Sequence, residues 1–416
     1  MSLARKIAFN TGVQIASKIV TVSLTLLTTI LLTSYLGKEG YGAYIYVLNL
    51  IIIFGSLADW GTATIGVREV AKEENQRTKL IGNLLALRLL LSLMAMLALF
   101  IFSFWLPWAG FIRLASPIIV LVSIKAFFAI LFQAQLEMQK AALADMVASL
   151  FIFIFSALVI KKGFDFGLLI WSVIWATLLS ALLAAFLARK SFKYRFTLDK
   201  KIIKHLLIES LPMGAILLMF TIDNKIDTVM LGLLKGSGEV GIYGLSSRIY
   251  DVLILGAAFL MNALLPVLSN LTELKYRPRL ISLLEKTFLV IFLGGLAVAL
   301  IVLLFSPFLV RVLTQKNFYQ FFNSIAVLKI MALSLFIAYF NHLVGYTLVA
   351  LNQQRPYFWI ALGSLIFNLT ANWWLIPLFS YYGAAWVTVF TEGLVLISTS
   401  ALLYRYLTAF NKTPYT

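Results

Sequence analysis

"LPMGAILLMFTIDNKIDTVMLGLL", residues 211–234, decides the class of the molecule. Its flanks are apolar over a length that suits a bilayer-crossing helix, for which about 20 residues are needed. A strand of an outer-membrane barrel would need only about 10. The centre of the segment is different, with Asp223, Lys225 and Asp227 within five positions and Asn224 among them. Each such charge costs about 2.5–3.5 kcal/mol at the centre of a membrane helix on insertion scales. With Asp223 at 0° and about 100° per residue, Asp227 falls near 40°, Asn224 near 100°, Thr228 near 140°, Thr221 near 160° and Lys225 near 200°. The apolar Ile222, Ile226, Val229, Met230 and Leu233 fill the other half. Such a helix has a wet face and a dry one. Two explanations fit: an Asp–Lys–Asp cluster that neutralises itself while knitting helices together, or one wall of a polar cavity carrying a substrate or proton site.

The rest of the chain shares the apolar character. Of 416 residues, 62% are hydrophobic and 12% charged, about half the charged share of a soluble domain. The pattern predicts an all-α membrane protein with twelve spans, near 9–35, 41–64, 83–106, 113–136, 142–160, 167–188, 206–234, 240–268, 286–310, 324–350, 357–379 and 383–406. The net charge of +17 does not point to nucleic acid, because 21 of the 34 Lys and Arg fall in the segments that an N-in, C-in chain keeps on the inner side or, as Lys286 and Arg405 do, at the inner ends of spans. Only seven fall in outer segments (Lys38, Arg113, Lys161, Lys162, Lys235, Arg311 and Lys316). That bias is the positive-inside signal of an even number of spans. Cysteine is absent, and His205 and His342 are far apart without a ligand cluster, so no metal site is expected.

Residues 188–205, "ARKSFKYRFTLDKKIIKH", hold seven Lys or Arg and read as a basic cytoplasmic linker against anionic headgroups. It separates an N-terminal six-helix lobe (1–187) from a C-terminal one (206–416). The halves carry traces of a parallel repeat. "GKEGYGAY" (37–44) aligns with "GSGEVGIY" (236–243) at an offset of 199, pairing Gly37 with Gly236 and Tyr44 with Tyr243. "LEMQK" (136–140) aligns with "LNQQR" (351–355) at an offset of 215.

Polar residues recur inside other spans. Gln14, Lys18, Thr21, Thr25 and Thr28 are spaced as one helical face. Lys18 lies about 18 Å beyond Lys6 along a helix, too deep to snorkel with ease, which points to a water-filled cavity. Together with Arg88, Lys125, Lys225, Arg248 and Lys329 it gives six cations from six spans. Arg88 is near a span end, where it could snorkel instead. Arg248 and Asp251 stand i, i+3 and could pair. Ser364, Asn368 and Asn372 form a stripe in span 11, and Thr388 with Glu392 one in span 12. Asp59 and Arg68 flank the inner end of span 2, where headgroup exposure is expected. Cations from both halves suit an anionic substrate, and Asp223, Asp227 and Glu392 are the carboxylates suited to a coupling H⁺ or Na⁺.

The sequence also resembles a known family. "YLGKEGYGAYIYVLNLIIIFGSLADWGTATIGVREVAK" (35–72), residues 211–249, which include an N-[RK]-I-D-T-x-M-L-G run, and "ALNQQRPYFWIALGSLIFNLTANWWLIPLFSYYGAAWVTVFTEGLVL" (350–396) are similar to the polysaccharide-biosynthesis flippases. These belong to the multidrug/oligosaccharidyl-lipid/polysaccharide (MOP) exporter superfamily. The resemblance covers nearly the whole chain. It implies two six-helix lobes in a V around a cavity that opens alternately to each side. The implied cargo is an undecaprenyl-pyrophosphate-linked oligosaccharide, such as an O-antigen unit, moved from the inner to the outer leaflet of a prokaryotic plasma membrane. By resemblance Asn224, Lys225 and Asp227 line the C-terminal lobe and Lys18 and Arg88 the N-terminal one. Lys225 departs from the arginine often found there, which keeps charge but loses bidentate phosphate geometry. Twelve expected spans are two C-terminal helices fewer than in the peptidoglycan-precursor flippases, so that precursor is the less expected cargo.

The expectation is therefore a monomeric transporter that is not an enzyme. It needs no cofactor beyond a coupling ion, and its partners are membrane lipid, the lipid-linked glycan and polysaccharide assembly proteins. A drug/cation antiporter of the same fold is the nearest alternative, although six cations in spans argue against a cationic cargo. A membrane glycan polymerase or ligase would present a long outer loop with Arg, His or carboxylates, and no outer loop exceeds about 14 residues.

Overall fold

The computed structural model describes residues 3–72, 77–163, 165–189, 196–271 and 276–409. Residues 190–195 of the expected basic linker lie outside them. The described residues form helices and short connections with no strand. In chain order these are α1 (Leu3–Asp59), α2 (Thr62–Lys72), α3 (Arg77–Phe102), α4 (Ala109–Ala115), α5 (Ile118–Ala134), α6 (Met138–Lys161), α7 (Phe166–Ala188), α8 (Lys200–Leu234), α9 (Ser237–Leu253), α10 (Leu255–Asn270), α11 (Arg277–Thr314), α12 (Ser324–Ala350) and α13 (Gln354–Ala409).

Among the described residues, ten stretches are long and apolar enough to cross a membrane. Two of these run for 60 and 55 residues, more than twice the roughly 20 that one crossing needs, and each is broken near its middle. In α1 the break is Gly37, with φ 64° and ψ −171°; glycine adopts that backbone without a Cβ penalty. In α13 it is Ser380, with φ 51° and ψ −133°, a conformation strained for a residue with a Cβ. The Ser380 hydroxyl donates to Glu239, and Lys235 Nζ donates to the Pro377 carbonyl at 2.8 Å, which ties this break down. Two broken helices among ten crossing stretches give the twelve spans read from the sequence.

The repeat is visible in the backbone. Gly236 before α9 has φ 91° and ψ 177°, the counterpart of Gly37 with its φ of 64° and ψ of −171°. The second pair of turns also matches, at a different register. Glu137 N donates to Phe132 O at 2.8 Å and Gln353 N to Leu348 O at 2.9 Å, while Leu136 and Asn352 both take positive φ, 56° and 57°. The offset is thus 216, one more than residue identity suggests, because the turn is set by its hydrogen bonds and by the left-handed position rather than by the leucines.

Spatially the chain forms two compact units, residues 1–225 and 226–416, which divide within α8 at Lys225. In unit 1, Leu84, Leu87, Phe127, Leu131, Phe132, Ala144 and Ala188 make a buried core with Leu206, so the start of α8 packs with the helices before it. A close crossing fixes that packing. Gly61, with φ +71°, sits so near Gly214 that a Cβ on either would come within 2.5 Å of the other strand of backbone. In unit 2, α9 and α12 exchange hydrogen bonds: Ser246 Oγ donates to Ser324 O at 3.0 Å and Ser324 Oγ to Ile242 O at 2.8 Å. Along α11, Phe288, Leu293, Leu304 and Phe308 are exposed, as a surface in contact with lipid requires.

Candidate functional site

In unit 1 the predicted polar stripe of α1 runs from exposed to buried. Gln14 and Lys18 are exposed, Thr21 and Thr25 partly buried, and Thr28 buried. The threonines bond back to their own helix: Thr21 to Lys18 O (3.0 Å), Thr25 to Thr21 O (2.7 Å), Thr28 to Leu24 O (2.8 Å). This satisfies the hydroxyls locally and leaves them uncommitted to neighbouring helices.

Of the cations singled out from the sequence, Arg88 and Lys125 form ion pairs within unit 1. Arg88 does not snorkel; its side chain is 3% exposed. Nη1 donates to Asp59 Oδ1 and to Thr62 Oγ1, both at 2.7 Å, and Nε to Ser123 O at 3.3 Å. Four helices, α1, α2, α3 and α5, meet at this guanidinium. Asp59 faces it rather than lipid headgroups, so the expectation for Asp59 is corrected by a partner 29 residues away. Lys125 Nζ on α5 meets Asp145 Oδ1 on α6 at 2.8 Å. Arg68 pairs with Glu69 and Glu209 at 2.8 Å each, at an exposed position.

Along α8 the single wet face expected from the helical wheel is divided. Asn224 is exposed and donates to its own helix, to Phe220 O at 2.8 Å. Asp223 and Lys225 are half-buried. Asp227 and Thr228 are buried, 3% and 2% exposed, because other helices of unit 2 cover them.

Asp227 is the centre of the densest polar cluster. Its Oδ2 accepts from Tyr243 Oη of α9 at 2.7 Å and from Thr388 Oγ1 of α13 at 3.0 Å. Oδ1 accepts from Asn372 Nδ2 at 2.7 Å, and the same amide donates to Asn368 Oδ1 at 2.8 Å. Two predicted stripes, Asn368–Asn372 and Thr388, therefore converge on one carboxylate of the quoted segment. Among the described residues no Lys, Arg or His nitrogen is within 4.0 Å of it. In a low dielectric such a group needs complete hydrogen bonding, a proton or a cation.

A second carboxylate lies further along the same helices. Glu392 is four residues beyond Thr388, and Tyr250 seven beyond Tyr243, which keeps each pair on one helical face. Glu392 Oε1 accepts from Tyr250 Oη at 3.2 Å, and Oε2 from Asn341 Nδ2 of α12 at 2.5 Å. The same amide donates to the Glu392 backbone carbonyl at 2.9 Å. Of the remaining expected residues, Arg248 and Asp251 are half-buried on α9, and Lys329 is exposed on α12.

Tyr243, Tyr250, Asn341 and Asp145 were not singled out from the sequence. Only Tyr243 carried a signal, through its place in the repeat. Elsewhere in unit 2 a cavity of about 660 Å³ is lined by Phe288, Phe292, Phe336, Phe340 and Leu403, with Glu285. It offers nothing basic to an anion. Among the described residues no group of three His, Cys, Asp or Glu is placed to hold a metal ion.

Comparisons with known proteins agree with this fold. Residues 7–272 match the family model described as polysaccharide biosynthesis protein, and residues 212–374 match MatE. No curated protein sequence matches significantly. Among solved structures, an inward-facing multidrug resistance MATE family transporter of the MOP superfamily superposes with a TM-score of 0.78 at 13% identity, over 97% of this chain and 100% of that one. Lipid II flippase MurJ in an inward closed conformation gives 0.76 at 16% identity, over 94% of this chain and 87% of that one. A MOP superfamily transporter from Pyrococcus furiosus, described as having a binding pocket of reverse polarity, gives 0.66 at 14%, over 98% and 96%.

Proposed function

The chain belongs to the polysaccharide biosynthesis protein family, a multi-pass MOP-superfamily transporter or flippase, and from that premise we propose that it flips a polyprenyl-pyrophosphate-linked oligosaccharide across a prokaryotic plasma membrane. Undecaprenyl is the carrier implied by the sequence resemblance. The observation that carries the reading is the family match over 7–272 joined to the cations of the spans. A pyrophosphate is a compact anion, and Lys18, Lys225 and Lys329, none of them fully buried, offer it charge that a cationic drug would not need. Lys125 can take part by exchanging its Asp145 partner for the phosphate, whereas Arg88, closed in by Asp59 and Thr62, acts by holding its helices.

Movement is driven by H⁺ or Na⁺ taken up at the unit 2 carboxylates, with Asp227 and its amide and hydroxyl neighbours supplying the oxygens. Asp223 and Asn224 flank Lys225 and tune its charge. The transporter breaks no covalent bond, requires no cofactor beyond that ion, acts as a monomer and hands its cargo to polysaccharide assembly proteins. The lobes that move are expected at 1–187 and 206–416 with the basic linker 188–205 between them.

A MATE-type antiporter is the second reading, favoured by the MatE match over 212–374. Proteoliposomes separate the two. With labelled polyprenyl-pyrophosphate oligosaccharide, the flippase reading predicts translocation that Lys225→Ala abolishes while the protein remains inserted. Drug-cation efflux without glycan translocation would favour the antiporter.

A further inference from the structure

The Glu392 cluster differs from the Asp227 cluster in one respect that assigns it a cargo. Tyr250, its phenolic partner, lies beside Ser334 of α12, and the fully buried Ser334 hydroxyl completes no ordinary hydrogen bond. Tyrosine and serine hydroxyls can each donate or accept by rotation. A chain of three oxygens, Glu392 Oε1, Tyr250 Oη and Ser334 Oγ, thus ends in a hydroxyl ready to accept.

We propose that Glu392 is a proton-binding site of the transporter, with Tyr250 and Ser334 as the hydroxyls that adjust to its loading. With Glu392 ionised, Tyr250 and Asn341 both donate to it. A proton arriving on Oε1 makes the carboxyl O–H a donor to Tyr250 Oη. The tyrosine O–H then turns to Ser334 Oγ, while Oε2 continues to accept from Asn341. One proton is gained, no other covalent bond changes, and the idle serine hydroxyl acquires a partner. An alkali cation suits the site less. Asn341 presents its N–H there, and the Glu392 backbone carbonyl, which accepts from the same amide at 2.9 Å, fixes that orientation.

The surrounding charges allow this. Tyr250 on α9 and Tyr357 at the start of α13 face the carboxylate, Arg248 and Asp251 lie along α9, and His342 adjoins Asn341 on α12, with its ring nitrogen on Ala338 O at 2.9 Å. Among the described residues no basic nitrogen is within 4.0 Å of Glu392. The repeat supplies a contrast. At the structural offset of 216, Asn341 occupies the place of Lys125, which in unit 1 meets Asp145 with an ammonium. Unit 2 meets its carboxylate with a neutral amide and leaves room for a proton.

The role of this proton in coupling rests on the transport reading, whereas protonation itself does not. Purified full-length protein in lipid nanodiscs, without substrate, is taken through a pH titration followed by infrared difference spectroscopy of the carboxylic C=O stretch. Glu392→Gln should remove one titrating band that Asp227→Asn leaves in place. Tyr250→Phe should move that band and shift its midpoint by about one pH unit, a tenfold change in proton affinity. A Glu392→Gln spectrum identical to wild type, or a Tyr250→Phe midpoint unmoved, overturns the proposal. Lack of glycan flipping by wild type would instead remove the transport reading and leave the band to be judged separately.

Discussion

The two units solve the same problem, a charge inside an apolar helix bundle, in opposite ways. Unit 1 meets two of its charges with opposite charges: the buried Arg88 with Asp59 at 2.7 Å and the more exposed Lys125 with Asp145 at 2.8 Å. Unit 2 buries Asp227 and surrounds it and Glu392 with phenols, amides and a threonine. At the first repeat offset of 199, Asp227 corresponds to Thr28, a buried neutral residue bonded to its own helix. Ion pairs hold helices in place regardless of pH near neutrality. Carboxylates held only by neutral donors respond to the ions around them. On the proposed transport reading, the first unit would supply rigidity and the second ion sensitivity.

The largest effect that could break this contrast is at Arg88. Removing one member of a buried ion pair strands the other, at a cost of about 3–5 kcal/mol. Arg88→Ala should lower stability in detergent by that order, and Arg88→Ala with Asp59→Ala should recover part of it. Equal loss in the single and double variants would show that the pair is not the clamp. Next is Gly214→Ala, where the added Cβ meets Trp60 O at 2.5 Å. Backbone cannot yield as a side chain does, so about 1–3 kcal/mol of overpacking is expected, seen as a lower melting temperature. Gly363→Ala, with open space around it, is the control.

A smaller effect tests how the chain after the linker is anchored to unit 1. Asn83 Oδ1 accepts from Asp199 N at 2.6 Å and Asn83 Nδ2 donates to Thr197 Oγ1 at 2.9 Å. Asn83→Ala should cost about 1 kcal/mol and speed proteolysis within 188–205. The smallest is electrostatic. The Lys79 ammonium, with the Lys201 backbone N–H, holds the Asp199 carboxyl below the usual carboxylate range. A depressed value means the contact stabilises above the unfolded-state pKa and is lost as pH falls through the folded one. Proteolytic protection of the linker should therefore weaken only on acidification, and Asp199→Asn should abolish that dependence.

Much of the fold was legible because it follows from local patterns. Span lengths, the inner excess of Lys and Arg, and the glycines that open the matching turns at 37 and 236 are all short-range signals. The Asn368–Asn372 and Thr388–Glu392 stripes were legible for the same reason, since helical periodicity marks a polar face. Their targets were not. Tyr243 carried only its place in the repeat, Tyr250 reads as an ordinary aromatic on its helix, and a lone Asn341 has no periodicity. Asp145 and Asp59 gained meaning only from Lys125 and Arg88, 20 and 29 residues away. The helical wheel gave Asp227 a wet side because it knows one helix, and burial was decided by α9 and α13. The one-residue error in the second repeat came from matching leucines where the hydrogen bonds of the turn set the register.

The measurement that bears most directly on the division of labour transplants the solution of unit 1 into unit 2. Asn341→Lys would place an ammonium at the position equivalent to Lys125, against Glu392, and fix the carboxylate in its ionised form. Labelled polyprenyl-pyrophosphate oligosaccharide is followed in proteoliposomes with and without an imposed pH gradient. On this division of labour the gradient accelerates translocation by wild type and not by Asn341→Lys, with the downhill rate retained. Full gradient stimulation in Asn341→Lys would contradict it.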